Sequence, residues 1–172
     1  GSVIHGLHGE QDMRKMGGLK KAMPITFWTM LIASLAISGI PVFSGFFSKD
    51  EILMTAFHHN KTLWVVGSLA SIMTAFYMFR LMFLTFFNDF RGTEEQKHHL
   101  HESPALITFP LIVLAILAAI GGLISLPGNS WLNEYLAPLF AKLGQEEHTL
   151  GSTEYMLMAI AVVGGFVGIG IA

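Results

Sequence analysis

The sequence predicts an all-α, multi-pass transmembrane helix bundle with one broken helix. The first reason is composition: the 172-residue chain is 52% hydrophobic and only 13% charged. Soluble domains carry about 25% charged residues, so this chain has too few polar side chains to cover a water-facing globule. The second is length. A hydrocarbon core of about 30 Å needs about 20 apolar helical residues, and three stretches meet that length or nearly so. The third is an interruption: residues 25–57 are apolar but hold Gly39, Pro41 and Gly45 in their middle, residue types that break helices.

The elements follow in chain order. Residues 1–8, "GSVIHGLH", read as the end of a preceding span. The chain opens without an initiator methionine or a signal-peptide pattern and closes inside an apolar run, so it reads as a piece of a longer membrane protein, with Gly1-Ser2 alternatively a remnant of cloning. Residues 25–57, 33 in number, would run about 50 Å as one straight helix. Two readings fit them: a broken transmembrane helix, or a short span followed by an interfacial segment. Residues 62–87 form a span interrupted only by Arg80, and 105–126 form one with no charge. Residues 129–143 read as an amphipathic helix on the outer surface, with Trp131, Leu132, Tyr135, Leu136 and Leu139 on its apolar side. Residues 155–172 begin a last span, in which Gly164 and Gly168 form a small-xxx-small pair suited to close helix packing.

Charge orients the bundle and excludes some functions. The net charge of -2 supplies no field for nucleic acid. The absence of cysteine excludes disulfides and thiolate-held iron–sulfur or zinc sites from these residues. Loops 9–24 and 88–104 carry six basic residues, Arg14, Lys15, Lys20, Lys21, Arg91 and Lys97, against Lys61 and Lys142 on the alternate side. Basic loops stay inside, so both are expected to face the cytoplasm. Trp28 and Trp64 fall near span ends, where interfacial aromatics belong.

"FSGFFSKDEILMTAF" places Lys49, Asp50 and Glu51 in a row inside the interrupted segment. One reading makes Ser48 and Glu51 a capping box opening a wet interfacial helix, with Lys49 in water. The other counts depth: if 49–57 is helical and surfaces near His58, Lys49 lies roughly 14 Å below the surface, close to the midplane. Broken helices at that depth line protein interiors or hydrated cavities, and transporters use them as ion sites. There, lost hydration and a movable carboxylate together decide whether the amine holds a proton. Asp50 points about 100° away from Lys49, toward another helix. Arg80 is the cation available on one, unless it snorkels to the interface. His5 and His8 are either a loop-facing pair or a proton entrance. His98, His99 and His101 lack the spaced ligand frame of a metal site, and none is predicted.

The stretches "GSVIHGLHGEQDMRKMGGLKKAMPIT", "ISGIPVFSGFFSKDEIL" and "HESPALITFPLIVLA" resemble the chain L type, antiporter-like membrane subunit of respiratory complex I, the proton-pumping NADH:quinone oxidoreductase. That family is related to Mrp-type sodium/proton antiporters. The resemblance covers essentially the whole chain. It implies an inverted-repeat fold whose second broken helix is 25–57, with Lys49 loading and releasing a proton beside Asp50, in a multi-pass protein of the bacterial inner membrane. It implies no cofactor here; FMN, iron–sulfur clusters and quinone belong to partner subunits. Other membrane-arm subunits, lipid and protons are the implied partners. The family's first broken helix and its lysine–glutamate pair have no counterpart in these residues. A subunit of a cation/proton antiporter and a structural scaffold are the competing readings.

Overall fold

The computed structural model describes residues 1–126, 129–130, 135, 138 and 152–172. Apart from Asn129, Ser130, Tyr135 and Pro138, the expected amphipathic segment 129–143 lies outside the described residues. Among the described residues the helices are α1 (Ser2–Gly6), α2 (Pro24–Ile37), α3 (Ser44–His59), α4 (Lys61–Phe86), α5 (Glu94–His99), α6 (Ala105–Ile120) and α7 (Ser152–Ile171). A 3-10 turn, Gly121–Ile124, continues α6, and Ser125–Leu126 pairs antiparallel with Asn129–Ser130.

Among the described residues, three helices are long and apolar enough to cross a membrane: α4, α6 with its extension to Leu123, and α7. Their outer faces match lipid rather than water. Leu106 is 87% exposed, Phe109 69% and Ile171 68%, large apolar side chains of the kind that hydrocarbon solvates and water does not. Hydrocarbon gives such helices no hydrophobic drive to associate, so close backbone packing must hold them together. The α4–α7 contact does this. A Cβ on Gly168 would come within 2.6 Å of the Ile72 carbonyl oxygen and 3.1 Å of the Ala75 Cβ.

The other end of the bundle is built differently. Leu7, Met16, Leu19, Phe27, Met82 and Phe86 form a buried cluster under the polar loops, with Phe27 edge-on to Phe86 at 5.4 Å and to Phe87 at 5.7 Å. Water is nearby, so each buried side chain contributes about 1.5–3 kcal/mol. The loop also terminates α4. The Phe87, Thr85 and Phe86 carbonyls accept from the amides of Gly18, Leu19 and Lys20, and Leu84 accepts from Arg91 Nη2 at 2.6 Å. The carbonyls that a helix end leaves open are thereby filled from the loop "GGLK" and from Arg91.

The same loop carries an exposed ion pair. Arg14 Nε donates to Asp12 Oδ1 at 3.0 Å, and this hydrogen bond holds the Asp12 carboxyl below its usual range. Lys15 reaches Glu10 at 3.1 Å. Exposed pairs of this kind contribute little to stability.

Candidate functional site at a helix break

Helix α2 stops where its sequence says it should. Gly39 adopts φ 74°, the left-handed region that L side chains avoid. Its amide donates to the Ala36 carbonyl at 3.1 Å, and the Ile40 amide donates to Leu35 at 3.2 Å. These are the paired bonds of a Schellman motif. The chain then passes through Val42, a β-branched residue at φ 82°. That backbone costs of order 1–3 kcal/mol, a strain typical of functional breaks. Helix α3 restarts at Ser44, with its first turn pressed on the end of α2. A Cβ on Gly45 would collide with the Ala36 carbonyl oxygen, so only glycine permits the crossing.

One carbonyl at the end of α2 is left for a side chain, and Lys49 takes it. Its Nζ donates to the Ile37 oxygen at 3.1 Å, and its stem lies 3.2 Å from where Gly39 would carry a Cβ. Positions 45 and 49 are one helical turn apart, so both face α2. An ammonium at a helix C-terminus gains roughly 0.3–1 kcal/mol from the helix dipole, and about 2 kcal/mol when partly buried. Lys49 is half-buried within this chain. It stands ten residues before His59, about 15 Å along the helix.

The expected capping box does not form. The helix begins at Ser44, with Phe43 as its uncapped N-cap, so Ser48 and Glu51 are interior positions and both are exposed. Wedging Gly45 under α2 starts the helix one turn earlier than the side-chain chemistry of "SKDE" suggests. Asp50 is 6% exposed, on a buried stripe with Phe46 and Leu53. It does not meet Arg80: no ion pair joins them among the described residues, and the Arg80 guanidinium lies 5.8 Å from the Phe76 ring centre. Asp50 instead lies within electrostatic range of Glu154 on α7, a buried acid at 6% exposure.

His5 and His8 are exposed, and the fold brings distant histidines to them. His8 sits edge-on to His99 at 5.0 Å, and a cavity of 540 Å³ is lined by His5, His8, His99 and His101. Among the described residues no group of His, Cys, Asp or Glu is arranged to hold a metal.

Two residues that the sequence reading passed over are Glu102 and Glu154. Helix α2 opens with Pro24, which has no N–H, and the cap residue Met23 offers no side-chain bond. Glu102 of "HESP" supplies the missing acceptor. It takes the amides of Ile25 at 2.7 Å and Thr26 at 3.2 Å, and the Thr26 hydroxyl at 2.6 Å. No local spacing signals a cap 77 residues away. Glu154 had a visible signal, an acid opening an apolar run, but a span expected to start at 155 left it in the loop; α7 begins at Ser152.

Residues 1–76 match the family model described as NADH:quinone oxidoreductase/Mrp antiporter, TM. NAD(P)H-quinone oxidoreductase chain 5 of Picosynechococcus is 45% identical over 202 aligned residues, covering all of this chain and 30% of its own length. NADH-quinone oxidoreductase subunit L of Mycobacterium tuberculosis is 41% identical over 177, covering all of this chain and 27% of its own. Subunit L of Rhodobacter capsulatus is 43% identical over 136, covering 72% of this chain and 19% of its own length.

The chain belongs to this antiporter-like membrane-subunit family. It spans less than a third of the length of these curated relatives. Within the family match, residues 1–76 contain both the histidine-bearing α1 and the whole of the α2–α3 break.

Proposed function

We propose that this chain takes part in proton translocation within the membrane arm of an NADH:quinone oxidoreductase, with Lys49 as its proton carrier. One observation carries the reading: the amine is anchored on the C-terminal carbonyl of a broken helix, Nζ to Ile37 O at 3.1 Å. A carbonyl accepts hydrogen bonds and cannot donate, so this anchorage serves a protonated lysine better than a neutral one. Loss of the proton weakens the cap, and a shift of the cap changes the proton's affinity. Moving one proton against 100 mV costs about 2.3 kcal/mol, the equivalent of roughly two pKa units.

Asp50, beside Lys49 and turned toward α7, is the second relay group. Glu51, Arg80, His5 and His8 are secondary candidates, the histidines at an entrance. The chain itself does no redox chemistry. FMN, iron–sulfur clusters and quinone belong to partner subunits, and other membrane-arm subunits and lipid are its neighbours. The membrane is the bacterial inner membrane, with loops 9–24 and 88–104 on the cytoplasmic side.

The test is Lys49→Ala in the complete complex, reconstituted in vesicles. Normal assembly with NADH oxidation retained and proton uptake reduced about tenfold or more supports the relay. Unchanged pumping overturns it and leaves a scaffold. A second reading, a subunit of a cation/proton antiporter, is favoured by the family description, which names both systems. Sodium-dependent proton exchange without flavin- or cluster-bearing partners would select it.

A further inference from the structure

We propose that Ser38 is a positioning residue for Lys49: its hydroxyl binds a water in the helix break, and that water gives the lysine a second anchorage beside the Ile37 carbonyl. The inference rests on the relay reading of Lys49.

Ser38 is 4% exposed, and its Oγ has no hydrogen-bond partner among the described residues. Four other helical hydroxyls bond back to the preceding turn: Thr29 to Ile25 O at 3.0 Å, Ser34 to Met30 O at 2.8 Å, Thr55 to Glu51 O at 2.9 Å and Thr74 to Ala70 O at 2.8 Å. Ser38 has the same helical backbone, φ -71° and ψ -10°, yet makes no such bond. Buried hydroxyls without a protein partner are ordinarily satisfied by water, and a buried water needs two to four polar partners.

The break supplies them. The ammonium is held on the carbonyl of residue 37 and would lie 3.9 Å from a Cβ on Gly39, so it sits at the residues on either side of Ser38, within the span a bridging water can close. An ammonium has three N–H donors, and Ile37 uses one. The chemistry of the two anchorages differs. A carbonyl only accepts, whereas a hydroxyl-bound water can accept from the ammonium or donate to the lone pair of the neutral amine. The neutral amine can still donate to the Ile37 carbonyl, but only a hydroxyl-bound water can satisfy its new lone pair, so Ser38 completes the anchorage in both charge states.

The test uses the complete oxidoreductase with the full-length chain. Ser38→Ala should lower NADH-driven proton uptake roughly tenfold, the loss of one hydrogen bond to a charged group, while Ser38→Thr retains most of it. A packing role predicts the reverse order, because Thr adds bulk and Ala does not. Ser38→Ala should also cost nothing further on top of Lys49→Ala, since both act through one group. A density map of the assembled complex should show water within about 3 Å of the hydroxyl. Full pumping by Ser38→Ala, Ala tolerated better than Thr, additive losses, or a protein partner on Oγ each overturn the inference. If Lys49→Ala alone leaves pumping intact, the relay reading itself has failed.

Discussion

The two ends of α2 are both capped by a charge from elsewhere in the chain, yet they are held very differently. At the N-terminus one carboxylate, Glu102, takes two amides and a hydroxyl of α2 and also the amide of Ser103, at 2.6–3.2 Å. At the C-terminus one ammonium, Lys49, makes a single bond at 3.1 Å, and the neighbouring hydroxyl of Ser38 is unpartnered among the described residues. Both charges have the sign the helix dipole favours at their end. The first end is fastened at several points and can serve only structure. The second is fastened once and can let go. The same electrostatic device yields an anchor or a switch according to how many bonds accompany it.

Substitutions ranked by stability test that contrast. Glu102→Ala should be the most damaging, at about 2–4 kcal/mol, because two amides and the Thr26 hydroxyl lose a charged acceptor at once. The amount of assembled complex in the membrane is the measurement, and Glu102→Gln, which keeps an acceptor oxygen, should recover part of it. Gly45→Ala follows at about 1–3 kcal/mol, since the methyl must push α3 off the end of α2; thermal melts should fall and pumping with them. Gly39→Ala should cost about 1 kcal/mol for its left-handed backbone, again read in melts. Lys49→Met, which keeps the packing of the stem and loses only the helix-end interaction of a half-buried ammonium, should cost no more than about 2 kcal/mol, while abolishing most proton uptake. If Lys49→Met destabilised the protein as much as Glu102→Ala, the distinction between anchor and switch would be lost.

The smallest effect belongs to the exposed loop. Arg14 depresses the Asp12 carboxyl, so its contribution is complete above the ordinary aspartate value of about 3.9. It is lost only as pH falls through the lower folded value. Between pH 5 and 8 the small melting difference between the wild type and Asp12→Asn should therefore stay constant with pH, and any pH dependence of pumping in that window must arise elsewhere.

Much of the bundle was legible in the chain. Runs such as "ALITFPLIVLAILAAI" declare themselves because lipid demands length and apolarity, both of which are local properties. "SGIP" marked the end of α2 because Gly39 supplies a backbone that few other residues tolerate. The restart was misplaced by one turn, since the crossing at Gly45 depends on where the Ala36 carbonyl lies. The partners of charges were the least legible. Arg80 looked available to Asp50, yet the fold turned Asp50 toward α7. Glu102 gave no hint of its role, because a cap supplied across 77 residues leaves no periodicity behind.

By itself, the sequence determined the solvent of this protein, the existence of its helices and the place where one must break, because hydropathy, helix length and glycine conformation act within a few neighbouring residues. Only the tertiary structure decided that Lys49 closes the end of α2, that Glu102 closes its beginning, and that the buried Ser38 hydroxyl at the break finds no protein partner among the described residues. Those outcomes depend on distances between separate helices, which no single stretch of chain contains.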